Sequence, residues 1–269
     1  MFQSSEDTER LRRFADSIRL RAVRMVAPHG FGYLGQALSS AELLAAFYVT
    51  AYRPERDQLV CSPGHYIIGV FAAAVESGLL DEEELSTYGF DDSSLEAIGT
   101  ERSPAVDLTC GSLGVGLSGG AGFALANQLS GDHDARVFVI SSDGEMEEGQ
   151  TWEAALFAAH NRLSRLTVLL DANDSQVDGP VSSITTLEPL AAKWEAFGWN
   201  AYDVDGHDVA AVSGALGAAM AGDHPSVIIA RTSTRRGLDV LPPDADGHFI
   251  KLPPLLAQDA IAELEARLA

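Results

Sequence analysis

Asp143 and Asn173 are the residues of this chain whose types and spacing point most directly to chemistry. They stand thirty positions apart, each at the end of an apolar, β-rich run: ARVFVIS before Asp143 and LTVLLDA before Asn173. Between them, Gln150 to Asn161 carries Trp152, Ala155, Leu156 and Ala159 at helical spacing. Strand, helix and strand in that order read as a βαβ crossover, with parallel strands buried on both faces. Ligands of such sheets gather beyond the carboxyl ends of the strands. A carboxylate and an amide placed there can share one hard cation. Mg²⁺ takes oxygen ligands at about 2.1 Å and usually keeps phosphate oxygens among them. Gly144 would let backbone approach a phosphate, and the following helix would offer free N–H groups to an anion. Asp, Gly and Asn also form ordinary strand-end turns, which is the alternative reading of the same residues.

The rest of the chain bounds what such a site could serve. Its 269 residues suffice for one large α/β domain with a well-buried core. Hydrophobic residues make up 46% and charged residues 21%, and no uninterrupted apolar run is long enough to span a bilayer. The N-terminus, MFQSSEDTERLRR, is polar and charged and does not read as a signal peptide, so a cytoplasmic protein is expected. The net charge of −21, with Lys193 and Lys251 the only lysines, argues against nucleic acid or an anionic membrane as partner. It does not exclude an anionic cofactor, because a bound metal and local N–H groups reverse the local field. Cys61 and Cys110 are too few and too far apart for a zinc framework or a disulfide scaffold, and both read as reduced.

The elements that must position the site alternate regularly. Glu9 to Ala27 has helical periodicity, and a glycine-rich turn, HGFGYLGQALS, follows. Ser39 with Glu42 has the spacing of a capping box for a helix through Tyr52. DQLVCS reads as a strand and SPGHYIIGVFAAAVESG as a turn and helix, whereas Asp81 to Asp107 is polar and irregular. CGSLGVGLSGGAGFALANQLSG is a glycine-rich turn feeding a helix. After Asn173, Leu187 to Phe197 and Asp208 to Met220 read as helices, and NAYDVDG and SVIIART as strands. An irregular segment, GLDVLPPDADGHFIKLPP, precedes a closing helix. This alternation predicts an α/β, doubly wound, mostly parallel sheet flanked by helices, with residues 1–269 as a single domain.

Several of these pieces, in this order, resemble the transketolases, enzymes that use thiamine diphosphate to move two-carbon ketol units. They are IRLRAVRMV, LSSAELLAAFY, SPGHYIIGVFAA, GSLGVGLSGGAGFALA, DGEMEEGQTWEAALFAAH, DANDSQVDG, WEAFGWNAYDVDGHD and VIIART. The resemblance runs from about Ile18 to Pro253. It implies the thiamine-diphosphate-binding fold of the diphosphate-binding (PP) module. The family's Gly-Asp-Gly signature, followed some thirty residues later by Asn, stands here as Ser142-Asp143-Gly144 and Asn173, with serine for the first glycine. By that match Asp143 and Asn173 ligate Mg²⁺ (or Ca²⁺ or Mn²⁺), and Ser175 adds its backbone carbonyl. Leu113, Gly114, Gly144 and Glu145 join the cofactor site. His65 and His248 match histidines beside the cofactor and serve catalysis, and an ordinary core or surface histidine is the alternative for each. Glu148 and Glu153 match glutamates that link two active sites across a dimer interface, and solvated helix acids are the alternative.

Two departures fall at the substrate. Tyr33, in FGYLG, stands where the family has a histidine, and Thr100, in GTE, replaces a second one. A phenol and a hydroxyl are poorer proton carriers at neutral pH than imidazole. His29, four positions before Tyr33, could partly substitute. A non-standard donor or acceptor is therefore expected. The resemblance further implies that a separate C-terminal transketolase-like subunit carries the activating glutamate, in an α₂β₂ assembly acting on small sugars or aldehydes. The α subunit of a 2-oxoacid-decarboxylating enzyme and a catalytically silent regulatory subunit are the competing expectations.

Overall fold

The structure, a computed structural model, describes residues 5–269. Helix α1 (Ser5–Val26) leads through a short turn and strand β1 (Phe31–Gly32) into α2 (Leu34–Ser39) and α3 (Ala41–Thr50). Then follow β2 (Gln58–Pro63), α4 (Ile67–Glu76), a long irregular segment, β3 (Leu108–Cys110), α5 (Gly116–Ser130) and β4 (Val137–Ser142). The chain continues through α6 (Gly149–His160), β5 (Leu166–Ala172), α7 (Val181–Ile184), α8 (Leu190–Ala196) and β6 (Asn200–Asp205). Helix α9 (Val209–Ala221), β7 (Ser226–Arg231), β8 (Ile250–Lys251) and α10 (Pro254–Leu268) complete it.

Six strands form one all-parallel sheet in the order β3-β2-β4-β5-β7-β6. The side chains of its central strands alternate between two cores. Phe138, Ile140, Leu169 and Ile228 face a layer built with α1, α3, α4, α9 and α10. Val139, Val168, Leu170, Val227 and Ile229 face a layer built with α5, α6 and α8 around Trp194. Burial on both faces explains why these strands are continuous apolar runs. The doubly wound parallel sheet expected from the sequence is the observed one.

Three local expectations are corrected. Ser39 and Glu42 form no capping box: Ser39 ends α2, the helix after it starts at Ala41 without a side-chain cap, and Glu42 is drawn to Arg19 at 2.5 Å. A buried guanidinium outcompetes a backbone N–H for that carboxylate. Gly144 is not followed directly by a helix, because a 3₁₀ turn over Asp143–Glu147 intervenes before α6. The segment before α10 is not wholly irregular, since β8 pairs antiparallel with β1.

Candidate active site

The carboxyl ends of β2, β4 and β5, with the turn after β3, converge on one group of polar side chains. Asp143 follows β4 directly. It is 5% exposed, and its carboxylate accepts hydrogen bonds from the backbone N–H groups of Gly144 (2.9 Å) and Asp174 (2.6 Å). Among the described residues no ion pair reaches it, and burial followed by repulsion from Asp171 raises its pKa to about 7. Arg231, which lines the same cavity of about 210 Å³, is already paired with Asp203 and Glu188. Asn173 lies beyond the end of β5. Its Nδ2 faces Asp171 (2.8 Å), Tyr66 (3.0 Å) and Ser39 (3.2 Å), and its Oδ1 accepts from the Ser175 N–H at 3.0 Å.

Asp171, which sequence reasoning misses, organises this group. It is fully buried inside β5 and accepts from Ser39 (2.5 Å), Tyr66 (2.9 Å), Asn173 and Thr232. Burial raises its pKa against the opposing pull of those donors. With its Nδ2 held by these acceptors, Asn173 turns its oxygen toward Ser175. A charged residue inside an otherwise apolar strand was the available signal.

Glu145 is buried as well, and its carboxylate is occupied by Ser62 (2.5 Å), Ser141 (2.7 Å) and the N–H groups of Gly114 (2.8 Å) and Ser142 (3.4 Å). Burial raises its pKa while these donors lower it. The side chain ties the turn after β3 to the turn after β4. Gly114 adopts φ +77°, and a Cβ there would lie 2.6 Å from the Cβ of Glu148. Only glycine suits that position. Leu113 beside it is 38% exposed.

His65 follows β2, with its ring 5.2 Å from Tyr33, 5.2 Å from Tyr66 and 5.0 Å from His248. Burial, then the neighbouring His248, lowers its pKa to about 4, so it is neutral at pH 7. His248 is buried, and Gln36 Nε2 contacts its Nδ1 (3.0 Å) and donates to its carbonyl (3.1 Å). Burial lowers its pKa, while a hydrogen bond to the Ser175 backbone works the other way. The backbones pack tightly here: a Cβ on Gly35 would lie 1.8 Å from the Gly247 carbonyl oxygen. The structure thus brings Asp143, Asn173, Ser175, His65, His248 and Tyr33 into one connected group.

Four expected residues lie outside this group. His29 bonds the Tyr88 carbonyl at 2.7 Å and stacks on Phe90, which commits its ring to the long irregular segment. The Thr100 hydroxyl accepts from the Arg102 N–H, while the adjoining Gly99 N–H donates to the Gly64 carbonyl next to His65. Glu148 and Glu153 are exposed at the start of α6. No cluster of three or more His, Cys, Asp or Glu side chains suited to a metal occurs among the described residues.

The residues from 11 to 266 match the family model "Transketolase, thiamine diphosphate binding domain". The chain belongs to the transketolase family. It is 39% identical to a putative uncharacterized transketolase family protein, y4mO, of Sinorhizobium fredii, across 96% of this chain and 95% of that one. It is 36% identical to the 6-deoxy-6-sulfo-D-fructose transketolase subunit SqwG of a Clostridium species, across 97% and 98% of the two chains. With one of the subunits of the apulose-4-phosphate transketolase of Actinobacillus succinogenes it shares 34% identity, across 89% and 90%. Its fold superimposes on the transketolase of Campylobacter jejuni with a TM-score of 0.86 at 23% identity, covering 96% of this chain and 43% of that one. The chain therefore spans less than half of that solved transketolase. As the resemblance implied, the fold is that of the thiamine-diphosphate-binding domain. No helix among the described residues is long and apolar enough to cross a membrane.

Proposed function

We propose that this chain is the diphosphate-binding subunit of a two-component transketolase, a transferase that moves a two-carbon ketol unit from a ketose or ketose phosphate to an aldehyde acceptor. The observation that carries the proposal is Asp143: a buried carboxylate without a cationic partner among the described residues, on the turn shared with Glu145, which holds the Gly114 turn. Such a charge is costly unless a cation arrives to meet it. Mg²⁺, or Ca²⁺ or Mn²⁺ in its place, fits that need, held by Asp143, Asn173 and the Ser175 carbonyl. Gly144, Leu113 and Gly114 offer backbone to the diphosphate, and the Glu145 carboxylate holds the Gly114 turn in place. Bound thiamine diphosphate would supply the centre that stabilises a carbanion next to a former carbonyl carbon.

This chain's own residues then orient and exclude. His65 and His248, both neutral at pH 7, offer hydrogen bonds without bringing charge next to the cation. The Tyr33 ring lies against both, 5.2 Å from His65 and 5.7 Å from His248. With Thr100 in the adjoining loop, it replaces imidazole by hydroxyl groups, which supports a non-standard donor or acceptor. Glu148 and Glu153, which are exposed, would meet a second copy of the chain in this reading. The reading includes a second, C-terminal subunit supplying the activating glutamate, in an α₂β₂ assembly in the cytoplasm; the relatives named as subunits support the existence of a partner chain. Mixing this chain with that partner tests the reading: ketol transfer is expected in the mixture and in neither chain alone. Full activity of this chain by itself would overturn the split. A cofactor-loaded mixture that transfers nothing would favour a silent subunit, and one that only decarboxylates 2-oxoacids would favour that chemistry.

A further inference from the structure

The rim of the site carries an aromatic wall that the cofactor chemistry leaves unused. The short β1–β8 ladder pairs Gly32 with Ile250 and Phe31 with Lys251, which puts Phe31 and Phe249 on one face. Their rings lie 5.4 Å apart, and the Tyr33 ring stands edge-on to Phe249 at 5.1 Å. Tyr33 in turn reaches His65 at 5.2 Å and His248 at 5.7 Å. The wall therefore runs without a break from the two site histidines to solvent. Its outer members are open, Phe31 being 54% and Phe249 36% exposed.

Charge along this wall is sparse. Lys251, opposite Phe31, is a cation on its face. Asp246 accepts from the N–H groups of His248 and Phe249, placing a carboxylate at the backbone that carries these rings. A phosphate lying over these rings would gain little and would face that carboxylate, whereas an apolar group would bury ring surface on both sides. We infer that the Phe31–Phe249–Tyr33 wall is a subsite for the apolar body of the aldehyde acceptor, so that the acceptor class is an aryl or long-chain alkyl aldehyde instead of a sugar phosphate. This rests on the ketol-transfer reading. In the reaction the donor bond beside its carbonyl carbon breaks, that carbon forms the new carbon–carbon bond to the aldehyde carbonyl carbon, the aldehyde oxygen takes up one proton, and no oxidant or reductant is needed.

The test uses this chain assembled with its partner subunit, thiamine diphosphate and Mg²⁺. The donor is 3-hydroxy-2-oxopropanoate, which with one aldehyde and one proton gives CO₂ and the extended ketol. Benzaldehyde and hexanal are compared with glycolaldehyde and glyceraldehyde 3-phosphate. The expected result is a kcat/KM at least about tenfold higher for the apolar pair. Phe31→Ala and Phe249→Ala, and more mildly the corresponding leucine variants, should raise KM for the apolar pair about tenfold while leaving kcat and the glycolaldehyde KM in place. Preference for the phosphorylated aldehyde, or equal losses on all acceptors, would overturn the subsite. So would variants that weaken association with the partner without changing acceptor preference, since the wall would then be an interface. Turnover of no aldehyde by a cofactor-loaded assembly would instead remove the ketol-transfer reading, and the subsite with it.

Discussion

Two clusters of buried acids sit in this molecule, and they are built on opposite principles. In the first, Glu42 on α3 is 4% exposed and is met by Arg19 at 2.5 Å, by His207 at 3.1 Å and more distantly by Arg236. Burial alone would raise its pKa, but the Arg19 guanidinium and the His207 contact outweigh burial and hold it low. In the second, at the ends of β4 and β5, Asp143 and Asp171 have only neutral donors, and both titrate high. The first cluster is electrically complete within the protein. Among the described residues the second lacks a positive charge, the deficit that the proposed cation would meet.

The largest effect that sharpens this contrast is removal of Glu42. Glu42→Ala leaves the Arg19 guanidinium buried with Asp16 and the Leu38 carbonyl as its remaining partners, and should cost about 3–5 kcal/mol of stability by urea unfolding. A loss within experimental scatter would mean that the first cluster is not the self-contained ion pair it resembles.

Asp143 should behave in the opposite sense. Its folded pKa of about 7 lies above the ordinary value of 3.8, so the folded apoprotein holds the proton more tightly than the unfolded chain. Its contribution is fully present below about pH 4 and is lost as pH rises to 7, on the order of 4 kcal/mol across the window. Measured without metal, the stability of Asp143→Asn relative to the natural chain should climb across that range. A difference independent of pH would break the comparison.

His65 opposes it. Its folded pKa of about 4 is depressed from 6.5, so its contribution is present above pH 6.5 and is lost as pH falls to 4, about 3 kcal/mol in all. The two slopes largely cancel between pH 4 and 6.5. His65→Gln should expose the Asp143 slope, and unfolding midpoints across pH would show it.

The smallest expected effect concerns Glu145, an acid of the second cluster that neutral donors do satisfy. Ser62→Ala removes one of its four donors, along with the hydroxyl that receives the Gly116 N–H, and should cost about 1–3 kcal/mol. A thermal shift of a few degrees would report it.

The sequence was most legible where physics is local. Continuous apolar runs announced buried parallel strands, and Asp143 and Asn173 were visible at their ends. Asp171 escaped because its role depends on Ser39, Tyr66 and Thr232, which lie 132, 105 and 61 positions away. Gln36 escaped for the same reason, holding His248 across 212 positions. The β1–β8 ladder has two residues per strand, too few for any periodicity to reveal. The Ser39–Glu42 capping box failed because both side chains had stronger long-range partners. Glu145 was legible as a site residue, but its full set of protein donors was not.

The central claim is that the missing charge at Asp143 belongs to a metal bound with thiamine diphosphate. Calorimetric titration of thiamine diphosphate into the chain assembled with its partner, with and without Mg²⁺ and at pH 6 and 8, tests it most directly. Binding that requires the metal, weakens toward pH 6 as the proton competes for Asp143, and disappears in Asp143→Asn is the predicted result. Equally tight binding without metal, or in the variant, would contradict it.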